Sequence, residues 1–558
     1  MFHPSPQLRR ESFHSLDGAW TVSVNGNGPV PITVPYPPEA PLSGVSAKAC
    51  GKAVLLYEKR FSMPEKSGDG RVLLHFGAVD QEAEVFLNGH RLGSHSGGYE
   101  AFSFDVTPYL KGDNLLTVRV TDRLDGAILP YGKQRVKRGG MWYTPVSGIW
   151  QTVWLEAVPD RYIRSLRMDT ALSADLSSAE VRITAEGISH GTVRVTTPYG
   201  ELTVPLRGGV AVVAVASPRL WSPEDPYLYV FTLTAEGVGG DRVESYFALR
   251  SLTVETVNGT PRLCLNGKPY FFHALLDQGY FPDGIFTPAS PACYEQDILT
   301  AKSLGFNTLR KHIKVEPPQF YYDCDRLGMI VFQDMVNNGR YSFLRDTALP
   351  TVGFKKRRDK HLHRRRAARE AFLAGMESTV RQLRNHPCVC YWTIFNEGWG
   401  QFDGDSVYRR LRELDDTRFI DTVSGWFKGP ASDVDSEHIY FKPVRLTYGE
   451  RPMVLSEFGG YACKIHGHTY NPDGSYGYRF FREQADFEDA LVRLYEDEII
   501  PAAQRGLCAA VYTQLTDVED EVNGLVTYDR AVVKVSPARM LPIAEALQRA
   551  VNPIPPQG

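Results

Sequence analysis

Two glutamates follow apolar runs of the chain in the same manner. Glu397 comes directly after the run CVCYWTIFN, and Gly-Trp-Gly follows it. Glu457 ends the run MVLSE, and Gly459 and Gly460 stand just beyond it. A carboxylate at the end of a buried strand is costly unless a partner or a reaction uses it. Two carboxylates facing one cavity are the minimum set for cleaving a glycosidic bond, one of them protonated and the other ionised.

An ordinary salt bridge is the alternative interpretation for either glutamate taken alone. Glu397 and Glu457 lie sixty residues apart in the chain, so only a fold that returns each strand to the same edge brings them together. Because both glutamates end an apolar run in the same way, we favour one shared site over two separate ion pairs.

Short apolar strands alternate with helical segments after Leu265. We predict eight strands there, in the runs YFFHALL, FNTLRKH, GMIVFQDM, CVCYWTIFN, RFIDTVSG, EHIYF, PMVLSEFGG and LCAAVYTQL. Eight strands in about 250 residues are typical of a (β/α)8 TIM barrel, whose active sites lie at the carboxyl ends of the strands. A doubly wound open sheet is the alternative. No glycine-rich phosphate loop follows the first strand, which favours the barrel and puts Glu397 on strand four and Glu457 on strand seven.

The chain before the barrel reads as two all-β domains. Alternating runs such as RVLLHFG and NLLTVRVTD, with the hairpin signal Asn88-Gly89, predict a β-sandwich over residues 1–157. Strands recurring every eight to twelve residues predict an immunoglobulin-like β-sandwich over residues 158–253. The catalytic barrel is then expected over residues 254–558.

The composition is that of an ordinary globular protein. The chain has 558 residues, 43% of them hydrophobic, and a net charge of −3. This charge opposes a nucleic-acid partner, so we interpret the basic run Lys355–Arg366 as a solvated helix or an oligomer contact, which leaves a homo-oligomer open. No run approaches eighteen apolar residues, so no membrane partner is expected.

The N-terminus and the cysteines bear on the compartment. The stretch MFHPSPQLRR has no apolar leader, and eight cysteines occur without framework spacing. We therefore predict reduced cysteines and a cytoplasmic protein. The segment CKIHGH holds Cys463, His466 and His468, but no fourth ligand stands beside them. We expect neither a metal nor a cofactor.

Several motifs, in order, resemble those of glycoside hydrolase family 2. The matching segments are SLDGAW, FGAVDQEAEVFLNG, GGYEAFSFDVT, SGIWQTVWLE, LWSPEDPYLY, YFALR, LNGKPYFFHALLDQGYFPDG, FNEGWGQF and LSEFGG. The resemblance implies a sugar-binding jelly roll, an immunoglobulin-like domain and a barrel that acts on a carbohydrate substrate. It also implies a retaining exo-glycosidase with Glu397 as acid/base and Glu457 as nucleophile, whose carboxyl groups lie roughly 5 to 5.5 Å apart.

The resemblance and the strand pattern together give further site residues. Asn396 matches the family residue that binds the sugar 2-hydroxyl. Arg310 and His312 alternate at the end of the second strand, and an Arg near Glu457 keeps that carboxylate ionised. His438 and Tyr440 repeat this spacing on the sixth strand, where the resemblance puts a Tyr against the nucleophile. The alternative for Arg310 is an ordinary arginine at a strand end, and the alternative for His438 and Tyr440 is packing in the core.

Further side chains are expected to contact the sugar. Asp277 and Gln278 follow the first strand, and Lys133 lies in PYGKQ, a loop of the first domain that we expect at the barrel mouth. Trp399 and Trp426 are candidates for stacking on sugar faces, with core packing as the alternative. A strand-end Asp334 is as well explained by a structural role.

The region after the eighth strand bears on which sugar the site takes. This region reads YTQLTDVEDEVNG, without the family's Asn-x-Lys-Gly uronate element. Its acids, Asp517, Glu519, Asp520 and Glu521, are expected to repel a uronate. The metal-site surroundings of the galactosidases are also absent. We keep β-galactosidase as the first guess, with β-mannoside, α-L-arabinoside or galactofuranoside as alternatives. Transglycosylation on the same machinery and a non-catalytic carbohydrate-binding protein also remain.

Overall fold

The computed structural model describes residues 3–45, 49, 52–62, 70–237, 239–351, 353–354, 359–429 and 431–552. Three regions follow one another along the chain: an all-β region, a second all-β region and a β/α barrel. Each of the three has its own buried apolar core.

The first region is a sandwich of antiparallel strands. Its strands are β1 (Phe13–Ser15), β2 (Gly18–Val24), β3 (Val30–Val34), β4 (Val54–Ser62), β5 (Arg71–Phe76), β6 (Val79–Asp80), β7 (Glu82–Leu87), β8 (His90–Ser96), β9 (Phe102–Asp105), β10 (Asp113–Thr121), β11 (Gly148–Ile149) and β12 (Val153–Val158). One sheet has the order β3-β2-β4-β10-β7-β8, the other β1-β12-β5-β9, and β6 pairs with β11. Strands β2, β7 and β10 alternate buried and accessible residues, as a half-buried sheet requires.

The second region is a smaller sandwich. Its strands are β13 (Ser165–Leu172), β14 (Ser178–Glu186), β15 (His190–Thr197), β16 (Gly200–Arg207), β17 (Val210–Ala216), β18 (Tyr229–Ala235) and β19 (Arg242–Phe247). Their order is β13-β14-β17-β16-β15-β18-β19. The β16–β17 register consists of Arg207 against Val210, at the hairpin that carries the chain from one layer to the other. Alternating residues of β14, β17 and β18 fill the space between the layers.

A small antiparallel sheet of three strands leads into the barrel. It comprises β20 (Leu252–Val257), β21 (Thr260–Leu265) and β22 (Lys268–Pro269). The barrel strands are β23 (Phe272–Asp277), β24 (Thr308–Lys311), β25 (Ile330–Asp334), β26 (Val389–Asn396), β27 (Phe419–Ser424), β28 (Asp435–Ile439), β29 (Met453–Gly459) and, after the small pair β30 (Tyr461–Cys463) and β31 (Arg479–Phe481), β32 (Leu507–Thr513). All eight predicted strands are therefore present, which confirms the barrel; the boundaries at 157 and 253 stay predictions.

The barrel strands run parallel in the order β27-β26-β25-β24-β23-β32-β29-β28. The Ser436 hydroxyl of β28 donates to the Val423 carbonyl of β27, so the two ends of this sheet meet. Every residue of β23–β27, β29 and β32 is buried, as expected when helices cover the outside and side chains fill the inside. The helices are α1 (Ala292–Ser303), α2 (Pro318–Leu327), α3 (Leu349–Thr351), α4 (Arg366–Leu383), α5 (Gly404–Leu414), α6 (Gln484–Leu494), α7 (Ile500–Arg505) and α8 (Pro537–Val551).

Several expectations concern residues outside the barrel interior. The first four residues of the basic run, 355–358, lie outside the described residues. Each cysteine in the described part of the chain is free. Within those same ranges, no helix is both long enough and apolar enough to cross a bilayer.

A buried arginine ties the first two regions together. The Arg10 guanidinium donates to both oxygens of Asp241 (3.0 and 2.8 Å) and to Glu156 (3.0 Å). The side chains of all three residues are 4% exposed. Solvent therefore screens these three charges poorly, and each one is stabilised by the opposite charge beside it.

Replacing Arg10 with Met is expected to destabilise the protein by roughly 3–5 kcal/mol, because it leaves the buried Asp241 carboxylate without its cation and leaves Glu156 with only His75 and His3 beside it. Urea unfolding followed by circular dichroism measures the change. The matched control is Arg9→Met: Arg9 lies 4.0 Å from Glu244, both side chains are more than 40% exposed, and such a pair contributes at most about 1 kcal/mol. Equal effects of the two substitutions would contradict the argument.

Candidate active site

The carboxyl ends of four barrel strands converge on one site. Strand β24 delivers Arg310, β26 leads to Glu397, β28 to His438 and β29 carries Glu457. The chain turns sharply after β26. Glu397 itself has a left-handed φ of 51°, which is unusual for a residue with a side chain. The glycine-rich corner supports this turn, since Gly400 has φ 75° and a Cβ there would lie 2.7 Å from the Asn338 carbonyl oxygen.

The two glutamates predicted to act together lie close to each other. One ligand atom each of Glu397, His438 and Glu457 falls within 4.8 Å of the other two. His438 stands between the carboxylates, with its Nδ1 3.1 Å from Glu397 Oε1 and 3.6 Å from Glu457 Oε2. The barrel thus brings together two carboxylates that the chain separates by sixty residues.

Glu457 is surrounded by groups that favour its ionised form. Arg310 donates to Glu457 Oε1 at 3.1 Å, and the Tyr440 hydroxyl donates to Oε2 at 2.7 Å. Burial on its own raises the pKa of a carboxyl group. Here His438, Arg310 and His312 outweigh burial and lower the pKa of Glu457 to about 2. Glu457 is therefore an anion at neutral pH.

Arg310 also organises the floor of the site. Its Nε donates to Asp334 Oδ1 at 3.0 Å, and its Nη2 donates to Asn396 Oδ1 at 3.0 Å. The second oxygen of Asp334 lies 2.7 Å from His312 Nδ1. Asp334 therefore holds both Arg310 and His312. These contacts favour the structural role of Asp334, which was the alternative to sugar binding.

Three residues that the sequence did not single out position the site. The Tyr440 hydroxyl lies 2.9 Å from Thr513 Oγ1, and the Tyr440 ring stacks on Tyr478 at 4.0 Å between centroids. Ser424 Oγ lies 3.0 Å from His438 Nε2. Ser424 and Thr513 are the last residues of β27 and β32, so a survey of strand ends would have found them. Tyr478 has no such signal.

Some predicted sugar ligands bind to the protein itself. Asp277 accepts from Lys311 at 2.6 Å and from the Gly279 amide at 2.9 Å. Gln278 donates to Gln514 at 2.9 Å. These contacts occupy both oxygens of Asp277 and favour a scaffold role for it.

The two tryptophans differ in their surroundings. Trp399 is 2% exposed, donates to the Gly339 carbonyl, and packs edge-on against Trp142 at 5.2 Å. These contacts favour the packing alternative for Trp399. Trp426 is half-buried and its ring lies 6.0 Å from that of His438, so it stays a candidate for sugar contact.

A loop of the first region forms one wall of the site. Lys133 lies in this loop, with its Nζ 5.5 Å from the Trp142 ring, and Trp142 in turn packs on Trp399 of the barrel. Burial lowers the pKa of His312, and the charge of Lys133 lowers it further. The PYGKQ loop therefore lies at the barrel mouth, and a role for Lys133 in sugar binding stays a prediction.

The acids after β32 are bound to protein partners. Asp517 pairs with Lys534 at 2.7 Å. Arg138 lies 3.4 Å from Glu519 and 3.2 Å from Asp520. The hydroxyl of a buried tyrosine, Tyr143, donates to Glu521, and burial raises the pKa of Glu521. Asp517, Glu519 and Asp520 thus have cationic partners within the protein, and the expectation that this cluster repels a uronate stays a prediction.

A (β/α)8 barrel with paired glutamates after its fourth and on its seventh strand, preceded by two β-sandwiches, defines a class of carbohydrate-active protein. Three family models match this chain: "Glycosyl hydrolases family 2, sugar binding domain" over residues 11–159, "Glycosyl hydrolases family 2" over residues 161–250, and "Glycosyl hydrolases family 2, TIM barrel domain" over residues 287–472. The chain belongs to glycoside hydrolase family 2, which confirms the resemblance and the fold that it implied.

The chain is similar to proteins with two different names. It is 28% identical over 403 residues to a β-galactosidase of Aeromonas hydrophila, covering 68% of this chain and 36% of that protein. It is 22% identical over 476 residues to a putative β-glucuronidase of Formosa agariphila, covering 75% and 51%. The chain thus spans about half or less of the length of these curated relatives.

Solved structures match over almost the whole chain. A β-D-glucuronidase of Dictyoglomus thermophilum superposes with a TM-score of 0.75 at 20% identity and covers 99% of both chains. A β-glucuronidase of Ruminococcus gnavus gives 0.74 at 19% identity and covers 97% of this chain and 99% of its own. At this identity the likeness shows a common fold.

Proposed function

We propose that this protein is a retaining exo-glycosidase that removes terminal sugars by double displacement. The observation that carries the proposal is the pair Glu397 and Glu457, with oxygens within 4.8 Å of each other. That spacing is shorter than the roughly 6.5–9.5 Å that inverting enzymes keep for a water, and it is close to the roughly 5 to 5.5 Å between the carboxyl groups of retaining enzymes.

Two steps complete the reaction. In the first, a Glu457 oxygen attacks the anomeric carbon, the bond to the leaving oxygen breaks, and Glu397 gives its proton to that oxygen. In the second, Glu397 takes a proton from a water molecule, whose oxygen attacks the anomeric carbon and frees Glu457. The anomeric configuration is inverted twice and therefore retained.

The neighbouring side chains divide two tasks. Arg310 and Tyr440 each donate to a different oxygen of Glu457, which keeps it ionised and sets the direction of its attack. Asn396 is held by Arg310 at 3.0 Å, which orients its amide for the sugar 2-hydroxyl. His438 contacts both carboxylates, so any charge on its imidazole acts on both of them.

The names of the relatives set the order in which candidate sugars should be tested. β-Galactoside remains the first substrate to test, because the curated relative with 28% identity is named a β-galactosidase. β-Glucuronide becomes the second. The acids that argued against a uronate are paired with protein groups, and Lys133 adds a cation at the barrel mouth. β-Mannoside, α-L-arabinoside and galactofuranoside follow.

A panel of nitrophenyl glycosides tests the proposal. The sugars are β-galactose, β-glucuronate, β-glucose, β-mannose, α-arabinose and β-galactofuranose, each assayed with the wild type. Proton NMR of the first-formed sugar of the best substrate should show the starting anomeric configuration. An inverted product would exclude double displacement. Silence on the whole panel and on natural oligosaccharides, together with saturable binding of one of them, would favour the carbohydrate-binding alternative.

The low pKa of Glu457 gives a pH prediction. Its ordinary pKa of 4.5 falls to about 2 in the folded protein, so the nucleophile stays ionised as the pH falls from 7 to 4. Replacing His438 with Asn removes the largest of the groups that lower this pKa. The pKa of Glu457 should rise, and the acidic limb of kcat/KM, which reports the free enzyme, should move to higher pH.

The measurement is kcat/KM from about pH 2 to pH 8 for the wild type and His438→Asn, a range that includes the pKa of about 2 for Glu457. His468→Asn is the matched control, since His468 pairs with Asp529 at 2.8 Å on the surface. An acidic limb that stays in place or moves to lower pH in His438→Asn would contradict the assignment.

A further inference from the structure

We propose that the proposed catalytic pair and His438 form a binding site for one Zn²⁺ ion, which blocks the active site reversibly. The proposal uses residues of the proposed function, but its test requires no turnover. Among the described residues, Glu397, His438 and Glu457 are the group of possible metal-ligating side chains whose ligand atoms all lie within 4.8 Å of one another. All three side chains are enclosed by the barrel, at 12%, 0% and 7% exposed.

The distances suit zinc after a small adjustment. Zinc binds His nitrogen at 2.0–2.1 Å and carboxylate oxygen at 2.0–2.2 Å, so two ligands of a tetrahedral ion lie about 3.4 Å apart. His438 Nδ1 is 3.1 Å from the Glu397 oxygen and 3.6 Å from the Glu457 oxygen. Only the two carboxylates need to approach each other, by a rotation of the Glu397 side chain.

Ser424 prepares His438 as a ligand. Its Oγ lies 3.0 Å from His438 Nε2, so it can accept the Nε2 hydrogen and leave the Nδ1 lone pair for the metal. Metal-bound histidines nearly always donate their other ring N–H in this way, and loss of that partner typically weakens metal binding 10- to 100-fold. The imidazole is thus oriented by a second residue before any ion arrives.

The charge around the site favours a dication. Glu457 supplies one negative charge, Glu397 supplies a second once the ion has displaced its proton, and the positive charge of Arg310 is balanced by Asp334 at 3.0 Å. Tyr440 donates one hydrogen bond to Glu457 Oε2, which leaves that oxygen a second lone pair for the ion.

The donor set selects zinc over magnesium. Two carboxylate oxygens with one imidazole nitrogen suit Zn²⁺, whereas Mg²⁺ prefers an all-oxygen octahedral shell that keeps several waters. A bound Zn²⁺ would hold the nucleophile oxygen and the acid/base oxygen at once. Neither attack on the anomeric carbon nor proton delivery is then available, so zinc and a glycoside should exclude each other.

The test is a titration of chelator-treated protein with Zn²⁺ alone, in competition with a fluorescent zinc indicator. We expect one ion per chain for the wild type, at least about tenfold weaker binding for His438→Asn, and a similar loss for Ser424→Ala. His468→Asn removes an exposed histidine that pairs with Asp529 and should bind as the wild type does. Mg²⁺ at the same concentration should not displace Zn²⁺.

The outcomes separate this site from other sources of zinc binding. Unchanged zinc affinity in both His438→Asn and Ser424→Ala, with circular dichroism spectra like that of the wild type, would overturn the proposal. Loss of binding in His468→Asn alone would place the ion on the surface instead. If His438→Asn does not fold, Ser424→Ala decides, because it leaves all three ligands in place. Absence of glycosidase activity would not affect these results.

Discussion

Glu457→Gln is expected to lower kcat by at least about 10³-fold on whichever glycoside the wild type cleaves. The substitution keeps the size of the side chain and an oxygen that can accept from Arg310 or Tyr440, now 3.1 and 2.7 Å from the carboxylate. It removes the charge that forms the covalent bond to the sugar. A nucleophile supplies an interaction realised in the reaction and not in substrate binding, so kcat should fall far more than KM changes.

Two measurements check the assignment of Glu457. Initial rates on the best nitrophenyl glycoside give kcat for Glu457→Gln and for the control Glu370→Gln, which alters a surface pair between Glu370 and Arg366. Mass spectrometry of wild type treated with a 2-fluoro glycoside should find the sugar on the peptide that contains Glu457. Substantial activity in Glu457→Gln, or a label on another peptide, would show that a different residue is the nucleophile.

Glu397→Ala should produce a loss that depends on the leaving group. With an unactivated aglycone, removal of the general acid is expected to cost about 10²- to 10⁴-fold. With a dinitrophenyl leaving group, which departs without a proton, formation of the glycosyl-enzyme should be nearly as fast as in the wild type. The second step then lacks its base, so the glycosyl-enzyme accumulates.

Azide distinguishes this role from a structural one. A small anion can enter the space left by the Glu397 carboxylate and attack the accumulated glycosyl-enzyme, giving a glycosyl azide of retained configuration. Rates of Glu397→Ala on the dinitrophenyl glycoside should therefore rise with azide, while the surface variant Glu413→Ala shows no response. Equal losses on good and poor leaving groups, without azide rescue, would mean that Glu397 positions the site instead.

The barrel and its central residues were predictable because local pattern and fold agree. The barrel strands are four to eight residues long, and apart from β24 (TLRK) and β28 (DSEHI) they are mainly apolar, as is typical of parallel strands buried on both faces. The polar residue that ends such a run must lie at the carboxyl edge, where Arg310, Tyr440 and Glu457 meet. These three residues could therefore be predicted from the strand ends alone, without reference to the loops.

Loop contacts were not predictable in the same way, because their partners come from distant segments. The sequence left sugar stacking and core packing open for Trp399, and its contact with Trp142 from the first region, at 5.2 Å, favours packing. The acids after β32 looked free, yet Arg138 and Lys534 bind three of them. Each of these contacts is tertiary, and the local sequence carries no periodic signal for it.

The loop that holds Lys133 and Trp142 has a consequence for how such proteins diverge. Because this wall of the site belongs to the first region and the proposed catalytic carboxylates to the barrel, substitutions at positions of residues 130–144 that do not pack on the barrel, unlike Trp142, can alter access and leave Glu397 and Glu457 in place. Substitutions in this loop of the first β-sandwich can therefore change which sugars reach the site, while the residues proposed for catalysis in the barrel stay the same. An exchange of whole barrels between relatives would therefore carry the proposed catalytic pair with it but leave this wall of the site unchanged.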